Sequence, residues 1–88
     1  MRISDISWDE GTIAHLARHG VEPEEVEGVF FKADPYTLKT RQNRYLALGQ
    51  TQSGRYLAIV FEYFGQYKAK IITARPMSEA ERKLYKRR

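Results

Sequence analysis

Between Arg44 and Arg75 the chain runs as three apolar stretches separated by two turn signals. The stretches are residues 45–48, 56–64 and 69–74, rich in Tyr, Ile, Val, Phe and Leu. Such side chains fit a pleated, half-buried surface. Gln52-Ser53-Gly54 divides the first two and Gly65-Gln66 the second and third. Glycine supplies the positive φ that a tight hairpin uses. The pattern predicts a three-stranded antiparallel meander on which the rest of the chain packs.

Upstream the period changes. Residues 1–7, with Ile3 and Ile6, read as a short edge strand. Ile13, Leu16 and Ala17 recur at helical spacing after a cap at Ser7 or Asp9. That helix is expected to stop at His19-Gly20, with Gly20 in the left-handed cap position. Trp8 reads as a core residue where strand and helix meet. A second helix starts at Pro23, buries Val26, Val29 and Phe30, and breaks near residues 31–35. Residues 36–41 read as a further strand and Gln42-Asn43 as a turn. Past Pro76, Ser78 and Glu81 form a capping box for a helix over residues 78–86. The order β-α-α-β-β-β-β-α predicts a single α+β domain with an antiparallel sheet. Two helices are expected on one face, with the other left partly open.

Charge changes this picture. Residues 1–37 hold three bases against eight acids, a net −5, and residues 38–88 hold twelve against three, a net +9. The basic half contains the expected sheet. A basic face binds polyanions through phosphate neutralisation, although Lys and Arg also simply solvate small folds. There is no cysteine, so disulfide and thiolate chemistry are excluded. No apolar run approaches a membrane span and the N-terminus has no signal core, so a cytoplasmic location is expected.

Few residues signal catalysis. His15 and His19 lie four apart on one helix without a third metal ligand. No phosphate loop, cofactor motif or hydrolase triad is present, so neither a metal nor a cofactor is expected. What remains is Arg44, Arg55, Lys68, Lys70 and Arg75 in or beside strands. Gathered on one face, they would grip a scissile phosphate and stabilise the charge that develops when a ribose 2′-OH attacks it. Glu62, the one acidic residue in the strands, would act as a base or orient an arginine. Taken singly, each arginine reads as a surface residue or a cross-strand ion pair worth under ~1 kcal/mol. Lys68 and Lys70 share a strand face, whereas Arg75 has the opposite parity unless a bulge intervenes. Tyr45, Tyr56, Tyr63 and Tyr67 are candidates for base stacking or for the core.

Several segments together resemble a known family. They are Trp8-Asp9-Glu10, Arg18-His19-Gly20-Val21, Pro23-Glu24-Glu25-Val26, Arg44-Tyr45, the run from Gly49 through Thr51 to Gly54-Arg55, Val60-Phe61, Ile71-Ile72-Thr73-Ala74-Arg75, Glu81-Arg82 and Tyr85. The chain resembles the BrnT toxins of type II toxin–antitoxin systems over nearly its whole length. The resemblance implies a RelE-like fold and a metal-independent ribonuclease that arrests translation. It also implies neutralisation by a BrnA-like antitoxin with a ribbon-helix-helix or similar DNA-binding domain, as a dimer or a hetero-oligomer. By position it carries over Arg44, Arg55 and Arg75 as site residues, with His19 and Tyr85 as helpers. With Glu62 these arginines form the expected catalytic set, and Lys39, Arg41, Lys68, Lys70, Arg82, Tyr85 and His19 the expected RNA contacts. The first helix departs from the family. Residues 11–17 lack the Lys and Asn usual there and look one residue shorter. A binding module without catalysis is therefore the alternative. Arginines 44, 55 and 75 on separate sides of the molecule, or each locked in an internal carboxylate pair, would end the case for a nuclease built on those three.

Overall fold

The computed structural model describes residues 2–88. Eight elements follow one another: β1 (Asp5–Ser7), α1 (Glu10–Arg18), α2 (Pro23–Phe31), β2 (Tyr36–Arg41), β3 (Arg44–Gln50), β4 (Tyr56–Tyr63), β5 (Lys68–Pro76) and α3 (Glu79–Arg87). The element order is the expected one. The first strand is shorter than residues 1–7, and Met1 lies outside the described residues.

Local chemistry explains the helix ends. Asp9 rather than Ser7 caps α1, its Oδ1 accepting the Thr12 N–H at 2.7 Å. Gly20, at φ +69°, turns the chain out of α1. The Glu22 N–H donates to Glu25 Oε1 at 3.0 Å, and Pro23 fills the first turn of α2. At α3, Ser78 Oγ accepts the Glu81 N–H at 3.1 Å and Glu81 Oε1 accepts the Ser78 N–H at 2.8 Å.

The strands form one five-stranded sheet in the order β1-β5-β4-β3-β2. β2 to β5 pair antiparallel, but β1 joins β5 in parallel, so the sheet is mixed rather than purely antiparallel. The reason is connectivity: α1 and α2 carry the chain over one face before it re-enters the sheet at the far edge. That face presents Ala47, Leu57, Ile59, Phe61, Ala69, Ile71 and Ala74 to Leu16, Val26, Val29 and Phe30. Gly49 is buried there because Val29 lies where a side chain would be: a Cβ would meet Val29 Cγ1 at 2.5 Å. Trp8 packs at the margin of this core, its Nε1 donating to Glu27 Oε2 at 3.3 Å.

The opposite face is divided. Over one end lies α3, where Met77 and Tyr85 close on Leu48 and Ala58, with Tyr36, Leu46, Tyr56 and Leu84 around them. Among the described residues, no helix covers the remainder of that face. Among the described residues, no helix is long and apolar enough to cross a membrane.

Candidate nucleic-acid interface

Strand register decides which side chains share the uncovered face. Arg44 pairs with Glu62, Leu46 with Val60 and Leu48 with Ala58; across the next ladder Glu62 pairs with Lys70, Val60 with Thr73 and Ala58 with Arg75. Directly opposed residues point the same way. Because Leu48 and Ala58 face α3, Arg44, Glu62, Lys70, Thr73 and Arg75 share their side of the sheet. Lys68 lies two residues from Lys70 and shares it too.

Two bulges make this gathering possible. In β5 the register shifts opposite Val60/Phe61, so that Ile72 is an extra residue between Ile71 and Thr73. The shift gives Arg75 the same face as Lys68 and Lys70, against its sequence parity. In β2 the register shifts between Lys39 and Arg41. Lys39 stands opposite Tyr45, on the helix-covered side, whereas Arg41 stands opposite Arg44. Arg41, Arg44, Lys68, Lys70 and Arg75 therefore surround a half-buried floor of Leu46, Val60 and Thr73. Two strand carboxylates lie on this face, Glu62 in β4 and, at the β1 edge, the exposed Asp5 in register with Lys68.

Each candidate arginine holds a carboxylate. Arg44 Nη2 meets Glu62 Oε2 at 3.0 Å across the β3–β4 pair. Arg75 grips Glu81 with two bonds, Nη1 to Oε1 at 2.7 Å and Nη2 to Oε2 at 2.9 Å. This fork holds the Glu81 carboxyl down to about 2, with help from the Ser78 N–H and hydroxyl, and raises the Arg75 guanidinium above its ordinary value. Arg55 Nη1 donates to Glu25 Oε2 at 2.9 Å and to the Gly20 carbonyl at 2.8 Å. Arg55 therefore clamps the α1–α2 corner from the helix-covered side and does not join Arg44 and Arg75.

Other expected contacts also separate. His19 ends α1 on the helix side, edge-to-face with His15 at 5.2 Å. Tyr85 is buried, and its ring anchors α3 rather than standing free for a base. Tyr45 and Tyr63 pack against the helix-side core, and Tyr67 is half exposed at the β4–β5 turn. Arg82 stays exposed, its guanidinium carbon 4.5 Å from the centroid of the Tyr56 ring. The partners Glu25 and Glu81 were missed in the sequence. For Glu81 a signal existed: its capping-box position, six residues after Arg75, aims it back at the strand end. Among the described residues, no three His, Asp or Glu side chains cluster as metal ligands would.

The fold and the basic face together define a class: a small α+β domain with two helices behind a mixed sheet and a short helix across one end of its front. The profile of the family described as "Ribonuclease toxin, BrnT, of type II toxin-antitoxin system" matches residues 8–81, and the chain belongs to that family. Membership brings with it a protein antitoxin as partner and RNA as target. Among solved structures the chain is similar to the Brucella abortus ribonuclease toxin BrnT, at 23% identity and a TM-score of 0.68. The match covers 85% of this chain and 97% of that one. At that identity the likeness speaks for the fold. No curated protein sequence matches.

Proposed function

We propose that this chain is a cytoplasmic endoribonuclease toxin that cuts RNA on the uncovered sheet face without a metal and is neutralised by a BrnA-like antitoxin. The observation that carries the reading is that Arg41, Arg44, Lys68, Lys70 and Arg75 share that face with Glu62, with Asp5 beside Lys68 and Glu81 on Arg75 as the other carboxylates there. Glu62 Oε2 is held by Arg44, and Oε1 accepts no hydrogen bond among the described residues. In this reading Oε1 takes the 2′-OH proton as the oxygen attacks phosphorus. Lys70, directly across from Glu62, and Arg75 stabilise the charge that develops on the phosphoryl oxygens. The P–O5′ bond breaks, leaving a 2′,3′-cyclic phosphate, and the departing oxygen takes a proton from water. Bound antitoxin covering the same face would block access, and cutting of messenger RNA would halt translation.

The carboxylate pairs do not disable the arginines. Each guanidinium has five N–H donors, and Arg44 uses one on Glu62. The donors that Arg44 leaves unused are open to a phosphate, and hydrogen bonds to charged groups are worth about 1.5–3 kcal/mol.

A second reading has its own support. All three arginines are paired, and Arg55 is remote from the other two. With residues 11–17 lacking the family's helix Lys and Asn, this favours a module that binds RNA or protein without cutting. Expression without a partner separates the two. The nuclease reading expects growth arrest that Arg75→Ala relieves. Harmless expression of the unaltered chain, with cellular RNA intact, supports the binding module.

A further inference from the structure

We propose that the outer side of α3 is a second phosphate-binding ridge, which holds the RNA backbone outside the cleavage site. The inference rests on the reading of the uncovered face as an RNA site. α3 turns Glu81, Leu84 and Tyr85 inward, the first onto Arg75 and the others onto the sheet. At 3.6 residues per turn, Arg82, Lys83, Lys86 and Arg87 then share the opposite side, within an arc of about 140°. All four are exposed. The one carboxylate among them, Glu79, lies 3.6 Å from Lys83, with the two side chains 86% and 73% exposed. So exposed a pair holds neither side chain firmly.

Part of the ridge is preorganised. The Arg82 guanidinium carbon and Lys86 Nζ lie 4.5 Å and 5.4 Å from the centroid of the Tyr56 ring. The ring fixes two cations side by side without neutralising either. Met77, Glu79, Arg82, Lys83 and Lys86 line a shallow depression beside them.

The chemistry selects the ligand. A basic helix that lies on a membrane needs an outward apolar side. Here Leu84 and Tyr85 are used internally, and Ala80 is the outward apolar residue that remains. A protein-docking patch would carry an aromatic or aliphatic anchor, and lysines are depleted from interface cores. Four cations with no outward anchor fit a repeating phosphate backbone. The ridge also continues the uncovered face: the Arg75–Glu81 fork fastens the root of α3 to β5. A strand leaving the face past Arg75 meets Arg82 next and then Lys86.

The test uses a labelled single-stranded RNA with 2′-O-methyl riboses, which the proposed chemistry cannot cut. Its anisotropy is followed from 50 to 200 mM salt with the unaltered protein and with Lys83→Ala/Lys86→Ala/Arg87→Ala. Each lost contact to a single strand lowers the slope of log affinity against log salt by about 0.7, so the triple variant should be shallower by about 2. It should also bind at least ~10-fold more weakly at low salt, while Glu79→Gln binds about twofold more tightly. An unchanged slope and affinity in the triple variant overturns the ridge. So does loss of binding to anionic phosphatidylserine vesicles with RNA affinity intact. Ridge-dependent binding by a protein that never cuts unmodified RNA keeps the ridge and sinks the nuclease reading. Cutting with ridge-independent binding does the reverse.

Discussion

Glu81 does two jobs from one position. It closes the capping box of α3 and forms a two-bond fork with Arg75. With its carboxyl near 2 against an ordinary 4.5, the contribution is fully present above about pH 4.5 and is lost as the pH falls toward 2. Discounted for solvent at the rim, it amounts to about 1–2 kcal/mol at neutral pH. Urea titrations should show Glu81→Gln less stable by that amount at pH 7, with the gap narrowing as the pH is lowered to 2.5. Gly49 makes a steric argument of similar size. A methyl group there would strike Val29, so Gly49→Ala should cost about 1–3 kcal/mol, read as a lowered denaturation midpoint. The opposite holds at Gln66, a non-glycine residue at φ +61°. Gln66→Gly should leave the melting temperature unchanged or raise it, because glycine adopts that conformation without the steric penalty.

At the scale of elements, α3 is the piece whose attachment matters most. It is nine residues long, too short to be stable alone, and it is held by Tyr85 against Leu48, Ala58 and Met77. The Tyr85 ring also meets Tyr56 edge-on at 6.0 Å. Tyr85→Ala should cost about 3 kcal/mol, with amide exchange rising first in α3. Caps, glycine stops and apolar runs placed every helix and strand within a few residues, because those signals are local. The parallel seating of β1 and the two bulges were not legible in the same way. Both depend on which strand lies alongside, and one inserted residue reverses every later side chain. The parity of Arg75 in the sequence pointed away from Lys70, and only pairing with β4 brings them to one face.

Across the whole molecule, most of the acidic first half lies behind the sheet, although Asp5 stands beside Lys68 on the front and Lys39 and Arg55 of the basic half lie on the helix-covered side. The acidic α2, with Glu24, Glu25 and Glu27, lies behind the sheet, and the basic strands and α3 look forward. Under the proposed function this charge difference would steer a polyanion toward the front. The charge difference between the two halves of the chain was readable in the sequence, but which side of the fold each charged residue takes was not. The placement of the candidate residues was legible only in part: Arg44, Glu62, Lys68, Lys70 and Arg75 share one face, while Arg55, Lys39 and His19 lie on the helix-covered side and Tyr85 is buried under α3. Ion pairs such as Arg55–Glu25 join residues thirty apart, and no local pattern announces them. The central claim is metal-free RNA cleavage on the front face. Its most direct measurement is incubation of the purified chain with RNA in excess EDTA, with the new 3′ ends identified by mass spectrometry. The account predicts 2′,3′-cyclic phosphate ends, formed at least ~10-fold more slowly by Arg75→Ala. RNA left intact by the unaltered protein, or cut equally fast by the variant, would contradict it.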